Sequence, residues 1–190
     1  MLEAIENFPH RADVVVLSYY VNDIEGAARS RGVTTPVRLP RPSGVVYHLT
    51  ETSFLLNTLY WRLFRFRDGE EMGRRFAEHL AGCYADPGIW STHQEELQAV
   101  VDGARSRGQE LVAVLFPKLN DVQGSANLTS RVAEVFGREG VEVLDLAPVL
   151  AGRDPSSLVV NPFDAHPNAA LHREVGELLA ERLSGLVSGD

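Results

Sequence analysis

The sequence contains a single cysteine, no long apolar run and no excess of positive charge. Cys83 is the only cysteine among 190 residues, which excludes an internal disulfide and leaves the redox compartment open. No apolar run approaches the roughly 20 residues that a membrane-spanning helix needs. Lys and Arg number 18 against 26 Asp and Glu, a net charge of −8, whereas nucleic-acid phosphates attract a basic face. The sequence therefore predicts neither a membrane span nor a nucleic-acid partner.

The composition favours one folded domain over residues 1–190. Hydrophobic residues make up 44% of the chain, which is enough for a sizeable core. The length lies within the usual range of about 100–200 residues for a single domain. The first six residues are acidic and too poor in apolar residues for a secretory signal, and the sequence leaves the localisation open.

The stretch from Asp13 to Asp23 anchors the fold prediction. Its four consecutive apolar residues, Val14 to Leu17, include three β-branched ones and predict a parallel strand buried on both faces. Similar strands are predicted at 111–116 and 141–145. Helical patterns alternate with these strands, and the last helix is predicted at about 169–187. This alternation is typical of an α/β fold with a parallel sheet and right-handed crossovers.

Two short polar motifs stand where chemistry is expected. Asn22 and Asp23 follow the first strand, and ligands of open α/β sheets bind outside the carboxyl ends of the strands. Asp164 and His166 lie on a predicted loop before the last helix, where the carboxylate can hold the imidazole in one basic tautomer. The alternatives are structural: Asn22 forms an Asx turn, Asp164 caps the helix, and His166 is a surface histidine.

Both motifs resemble sequence blocks of the SGNH/GDSL hydrolases. Asp-Ala-His-Pro-Asn-Ala-Ala-Leu-His at 164–172, followed by an apolar helical stripe, resembles the closing block of that family. Leu-Ser-Tyr-Tyr-Val-Asn-Asp-Ile at 17–24 resembles the third block, a strand followed by Gly-x-Asn-Asp. The resemblance covers about residues 8 to 183, with the two blocks at its ends in the family's order.

The resemblance implies a three-layer α/β/α sandwich with a flavodoxin-like parallel sheet. It also implies a serine ester hydrolase, an esterase or lipase with Ser-His-Asp chemistry, no metal or organic cofactor, and a small acyl ester as substrate. Carried over by position, His166 is the general base, Asp164 is its orienting carboxylate, and Asn22 stabilises the oxyanion. Asp23 is interpreted as structural.

The chain departs from the family pattern in ways that lead to further expectations. Tyr20 stands where the family has glycine, and neither the Gly-Asp-Ser nucleophile motif nor the second block's glycine has a counterpart. We therefore expect an N-terminally incomplete member that lacks the first strands and the nucleophile, and that is inactive or weak on its own.

Loss of two strands would turn the strand at 13–19 into a sheet edge. Its unpaired N–H and C=O groups would then invite pairing with another chain, so we expect a homo-oligomer through this edge. The alternative function is a catalytically inactive domain that self-associates as a structural or binding module.

Other candidate residues receive structural interpretations. Ser18 could act as a nucleophile at a strand end, but a small buried residue is the preferred interpretation. Asp164, His166 and His172 match the spacing of no common metal site. Cys83 has no paired histidine nearby in sequence, and a buried inert thiol is expected. The aromatic helix predicted at 52–66 either packs into the core or caps an acyl pocket.

Overall fold

A computed structural model describes residues 12–36, 42–161 and 164–187 of the chain. A short 3₁₀ helix lies at Pro155–Ser157. The other elements, in chain order, are β1 (Val14–Tyr20), α1 (Glu25–Ser30), α2 (Gly44–Thr52), α3 (Phe54–Ala85), α4 (Pro87–Arg105), β2 (Glu110–Phe116), α5 (Val122–Arg138), β3 (Glu142–Asp145), α6 (Leu146–Leu150), β4 (Val159–Asn161), β5 (Asp164–Pro167) and α7 (Ala169–Val187). The predicted α/β class is confirmed.

β1, β2 and β3 form a parallel sheet in that order. β2 is the central strand, and all of its residues from Leu111 to Phe116 are buried. Because successive side chains of a strand point to opposite faces, both faces of β2 are covered, as predicted for a parallel strand. Among the strands of the described residues, β1 lies at one edge of this sheet, as expected from the family resemblance.

β1 itself is not buried on both faces, so that part of the prediction is wrong. Leu17 and Tyr19 are buried, whereas Val16 is 40% exposed and Ser18 is exposed. The physical reason is that a strand face is buried only where another element packs on it, and in the described part of the chain only one face of β1 is fully covered. The parallel sheet is therefore shown, and the finer description as a flavodoxin-like sandwich stays a prediction.

The chain divides into two compact units, each with its own internal contacts. Unit 1 comprises Met1–Asp23 and Ser91–Asp190, and unit 2 comprises Ile24–Trp90. Unit 1 contains the sheet, the β4–β5 hairpin and α7, whereas unit 2 contains α1, α2 and α3. The single domain remains a prediction.

The hydrophobic cluster of unit 1 joins the sheet to the C-terminal helix. It also includes residues beside the β4–β5 hairpin. Its buried members are Val114, Phe116, Leu119, Val122, Leu144, Leu146, Leu150, Leu158, Val159, Leu171 and Val175, and Tyr20, Leu178 and Leu179 pack against it.

Unit 2 is more helical than the sequence predicts. Its described residues include the short helices α1 and α2, and the continuous helix α3 extends far beyond the aromatic helix predicted at 52–66. α3 and α4 meet at Asp86. Asp86 is extended, as favoured before a proline, and its Oδ1 accepts a hydrogen bond from the Ile89 N–H (2.9 Å).

The apolar face predicted for the aromatic helix is not a core face. Phe54, Leu55, Leu59 and Leu63, which the sequence suggests for packing, are all exposed on α3. The core interpretation is therefore wrong for these four residues.

In the described part of the chain, no helix has the length and apolar character needed to cross a membrane.

Candidate active site

Asp164 and His166 are in direct contact on one edge of the β4–β5 hairpin. Asp164 Oδ1 lies 2.6 Å from His166 Nδ1 and also accepts a hydrogen bond from the His166 backbone N–H (3.1 Å). This double contact fixes the ring and favours the proton on Nδ1, which leaves Nε2 as a proton acceptor. The residues lie on a short strand, β5, instead of the predicted loop, because β5 pairs with β4.

Both members of the pair face solvent. The side chains of His166 and Asp164 are 81% and 43% exposed, so water screens their electrostatic interaction. The expected contact between Asp164 and His166 is therefore present, and the role of His166 as a general base stays a prediction. It lacks the low-dielectric surroundings that strengthen such contacts in buried sites.

Asn168, rather than Asp164, caps helix α7. Its Oδ1 accepts a hydrogen bond from the Leu171 N–H (2.9 Å), and its Nδ2 donates to the Ser157 carbonyl (2.8 Å). The alternative interpretation of Asp164 as the helix cap is therefore wrong. The Asp164 carboxylate instead contacts His166.

The turn after β1 is closed by Asp23. Its Oδ2 accepts a hydrogen bond from the Tyr20 N–H (2.9 Å), and its own N–H donates to the Tyr20 carbonyl (2.8 Å). Burial raises the pKa of Asp23, and this contact opposes the rise. Asn22 is exposed, and no hydrogen bond within the described residues uses its side chain. Asp23 thus makes the turn contact that a structural role requires, and the Asn22 amide does not form the alternative Asx turn.

The two halves of the candidate site are attached to the same hydrophobic cluster of unit 1. Tyr20 stacks on Phe116 with ring centroids 4.7 Å apart and packs against this cluster. Leu171, just after the hairpin, is a buried member of the same cluster. Asn22 is two residues after Tyr20, and His166 is five residues before Leu171. Both residues therefore belong to unit 1, and a substrate that contacts both side chains is a proposal.

Ser18 is more accessible than the sequence suggests. The preferred interpretation of a buried serine is wrong, because Ser18 is exposed on the same side of β1 as Val16 and Tyr20. None of the hydrogen bonds made by the described residues involves its hydroxyl. Ser18 therefore needs a direct experimental test as a nucleophile.

A chain of polar groups in unit 1, centred on the buried side chain of His93, was not predicted. His93 at the start of α4 lies with Nε2 2.8 Å from the Tyr19 hydroxyl and Nδ1 3.2 Å from Glu96 Oε2. Burial lowers the pKa of His93, while the hydrogen bond that His93 donates to Glu96 and the charges of Glu96 and Asp23 act in the opposite direction. His93 is therefore neutral at pH 7. Its Nδ1–H donates a hydrogen bond to Glu96, and its Nε2 accepts a hydrogen bond from the Tyr19 hydroxyl.

The lowered pKa of His93 makes folding stability depend on pH. Because the unfolded chain binds this proton more readily, stability is full above the unfolded pKa of about 6.5 and falls as the pH drops below it. We expect the urea midpoint to fall more from pH 7.5 to 5.5 in the wild type than in His93→Gln. The exposed-site variant His172→Ala should keep the wild-type slope. Equal slopes for wild type and His93→Gln would contradict this prediction.

Unit 2 contains a second unpredicted cluster, around Cys83. His79, one helical turn earlier on α3, places Nε2 3.7 Å from Cys83 Sγ and 3.5 Å from Glu25 Oε1. The statement that Cys83 lacks a paired histidine is therefore wrong, since residues four apart share a helix face. Burial raises the pKa of the Cys83 thiol, with Glu25 and Asp86 adding to the effect, so the thiol stays protonated as expected for an inert cysteine.

No group of three or more His, Cys, Asp or Glu side chains in the described part of the chain is arranged to hold a metal ion.

No family model, curated protein or solved structure matches this chain. Its function is therefore argued from its own residues and their geometry.

Proposed function

We propose that this chain is an ester hydrolase domain of the SGNH/GDSL type that acts on small acyl esters. The observation that carries the proposal is the 2.6 Å contact between His166 Nδ1 and Asp164 Oδ1. It gives a histidine with a defined tautomer and an accessible Nε2, at the position of the family's general base. Asn22, after the carboxyl end of β1, supplies the second component, an exposed amide donor.

In the proposed reaction, His166 Nε2 accepts the proton of the attacking hydroxyl as its oxygen bonds to the ester carbonyl carbon. The carbonyl oxygen becomes an oxyanion, to which Asn22 Nδ2 donates a hydrogen bond. The intermediate collapses by breaking the bond between the carbonyl carbon and the alcohol oxygen. His166 then returns the proton to the departing alcohol, while Asp164 holds the imidazole in place throughout.

The attacking hydroxyl in the intact family is a serine in a Gly-Asp-Ser motif, which this sequence does not contain. For this chain on its own, the proposed nucleophile is water, deprotonated by His166 in the same step. Direct attack by water forms no acyl-enzyme, so we expect slow turnover without a burst of p-nitrophenol.

Hydrolysis of p-nitrophenyl acetate tests the proposal. We expect the wild-type chain to hydrolyse this ester faster than buffer, and Ser18→Ala to retain the rate within about twofold, because water is the nucleophile. A rate lost in Ser18→Ala, together with a burst in the wild type, would identify Ser18 as the nucleophile. No hydrolysis above buffer by the wild type would contradict the ester hydrolase.

A second candidate function is a non-catalytic module that self-associates through β1. The observation in its favour is the edge position of β1, whose outer side pairs with no strand in the described part of the chain. An exposed strand edge is a template for pairing with another chain. Absence of hydrolysis together with dimers that Val16→Lys dissociates would favour this function.

A further inference from the structure

We infer that the exposed apolar surface of α2 and the start of α3 is a docking surface for a second copy of this chain. This surface, the α2–α3 patch, lies wholly in unit 2, whereas β1 and His166 belong to unit 1. Its members are Val45, Val46, Tyr47, Leu49, Phe54, Leu55, Leu56, Leu59 and Leu63.

The exposed large hydrophobic side chains are concentrated in one segment. Of the 13 in the described part of the chain, nine lie between Val45 and Leu63. Phe54 is 89% exposed and Leu63 is 68% exposed, whereas the remaining four are scattered singly elsewhere. Single exposed hydrophobic residues are normal, but such a concentration within one pair of adjacent helices is typical of an interaction surface.

The two helices hold the patch in a defined shape. α2 packs against α3, and Asn57 Nδ2 of α3 donates a hydrogen bond to the Thr50 carbonyl of α2 (3.1 Å). On α3, Leu56, Leu59 and Leu63 follow the spacing of three and four residues that brings side chains into a helix–helix seam. A preformed apolar seam of this kind fits a partner helix.

The exposed area is close to that of a stable interface. Taken together, the nine side chains expose about as much surface as five complete apolar side chains, or roughly 500–700 Å². A standard interface buries roughly 800 Å² per partner, part of which comes from a polar rim. Thr58 and other polar residues on the same helices can supply that rim, so a symmetric dimer would have a standard-sized interface.

Charge favours a second copy over a lipid surface. The chain carries a net charge of −8, which repels anionic lipids and also other copies of the chain. Between Val45 and Leu63, however, Glu51 and Arg62 are the only charged residues and have opposite signs. Two copies can therefore approach at this surface without net repulsion. Helices that bind membranes usually carry Lys and Arg along their polar face, which this segment lacks.

Sedimentation velocity of the full chain from 1 to 50 µM tests the inference. We expect the wild type to form dimers of twice 20.9 kDa and the double variant Leu55→Glu/Leu63→Glu to raise the dimer Kd at least about 30-fold. Val149→Glu/Val160→Glu changes two exposed hydrophobic residues outside the patch and should leave the Kd unchanged. Phe54→Gln, at the most exposed position, gives a milder second test if the double variant loses helicity.

Three results would overturn the inference. One is a wild-type monomer across this range. Another is a dimer that persists in both patch variants but dissociates in Val16→Lys, which would assign the contact to the β1 edge. The last is a monomeric wild type that co-sediments with phosphatidylcholine vesicles while Leu55→Glu/Leu63→Glu does not, which would make a lipid surface the occupant.

Discussion

Replacing His166 with alanine is expected to lower kcat/KM for p-nitrophenyl acetate by about 100-fold, the lower end of the usual contribution of a general base. The lower end applies because the His166 side chain is 81% exposed, so solvent weakens its electrostatic coupling to Asp164. The variant should fold normally, since the ring contacts solvent more than protein. The measurement is the initial release of p-nitrophenol, with circular dichroism as the check on folding.

Surface histidines hydrolyse activated esters on their own, so the matched control is His172→Ala. His172 is also exposed and lies six residues further on, in α7, outside the Asp164–His166 pair. We expect it to keep the wild-type rate. Asp164→Asn should cause a smaller loss than His166→Ala, because the ring remains but its preferred tautomer does not. Equal rates for His166→Ala and His172→Ala would reject His166 as the general base.

Local sequence patterns predicted the sheet well because each strand is a local signal. The apolar runs at 14–17 and 111–116 lie in β1 and β2, and the amphipathic pattern of the last helix matches α7. What the runs could not reveal is that β1 is exposed on one face. Burial on that face depends on segments that are distant in sequence. The same apolar run can therefore belong to a central strand or to an edge strand.

The aromatic helix shows the same limit of local sequence patterns, because its apolar face is present but exposed. Helical spacing of Phe54, Leu55, Leu59 and Leu63 predicts an apolar face, and α3 has one. The pattern cannot say what covers that face, because the covering surface is not encoded in the helix itself. A core, a substrate pocket and a second copy all require the same periodicity.

The contacts at the candidate site and around it also differ in how far the sequence predicts them. The Asp164–His166 contact was predictable because its partners are two residues apart and belong to a motif. The contact between Tyr19 and His93 joins residues 74 positions apart and belongs to no motif, so the sequence gives no signal for it. The pairing of His79 with Cys83 does have a signal in the sequence, the spacing of four residues that places both on one face of a helix.

Replacing Asn22 with alanine is expected to lower kcat for p-nitrophenyl acetate by about 10²–10³-fold with little change in KM. An oxyanion donor acts mainly on charge that develops in the transition state, so its removal should spare binding of the neutral ester. Asn22→Asp, which has the same shape but no amide donor, should show a similar loss. The measurement is the full dependence of rate on substrate concentration.

A structural role for Asn22 would give a different pattern. Its side chain is exposed, so the free energy of unfolding should change by no more than about 0.5 kcal/mol in Asn22→Ala. Asp23→Ala, which removes the partly buried contact to the Tyr20 N–H, is expected to cost about 1–3 kcal/mol. Comparing the variants of these two adjacent residues thus separates an effect on kcat from an effect on the free energy of unfolding. If Asn22→Ala lost stability while keeping kcat, the amide would belong to the turn, and His166 would act without an oxyanion donor from β1.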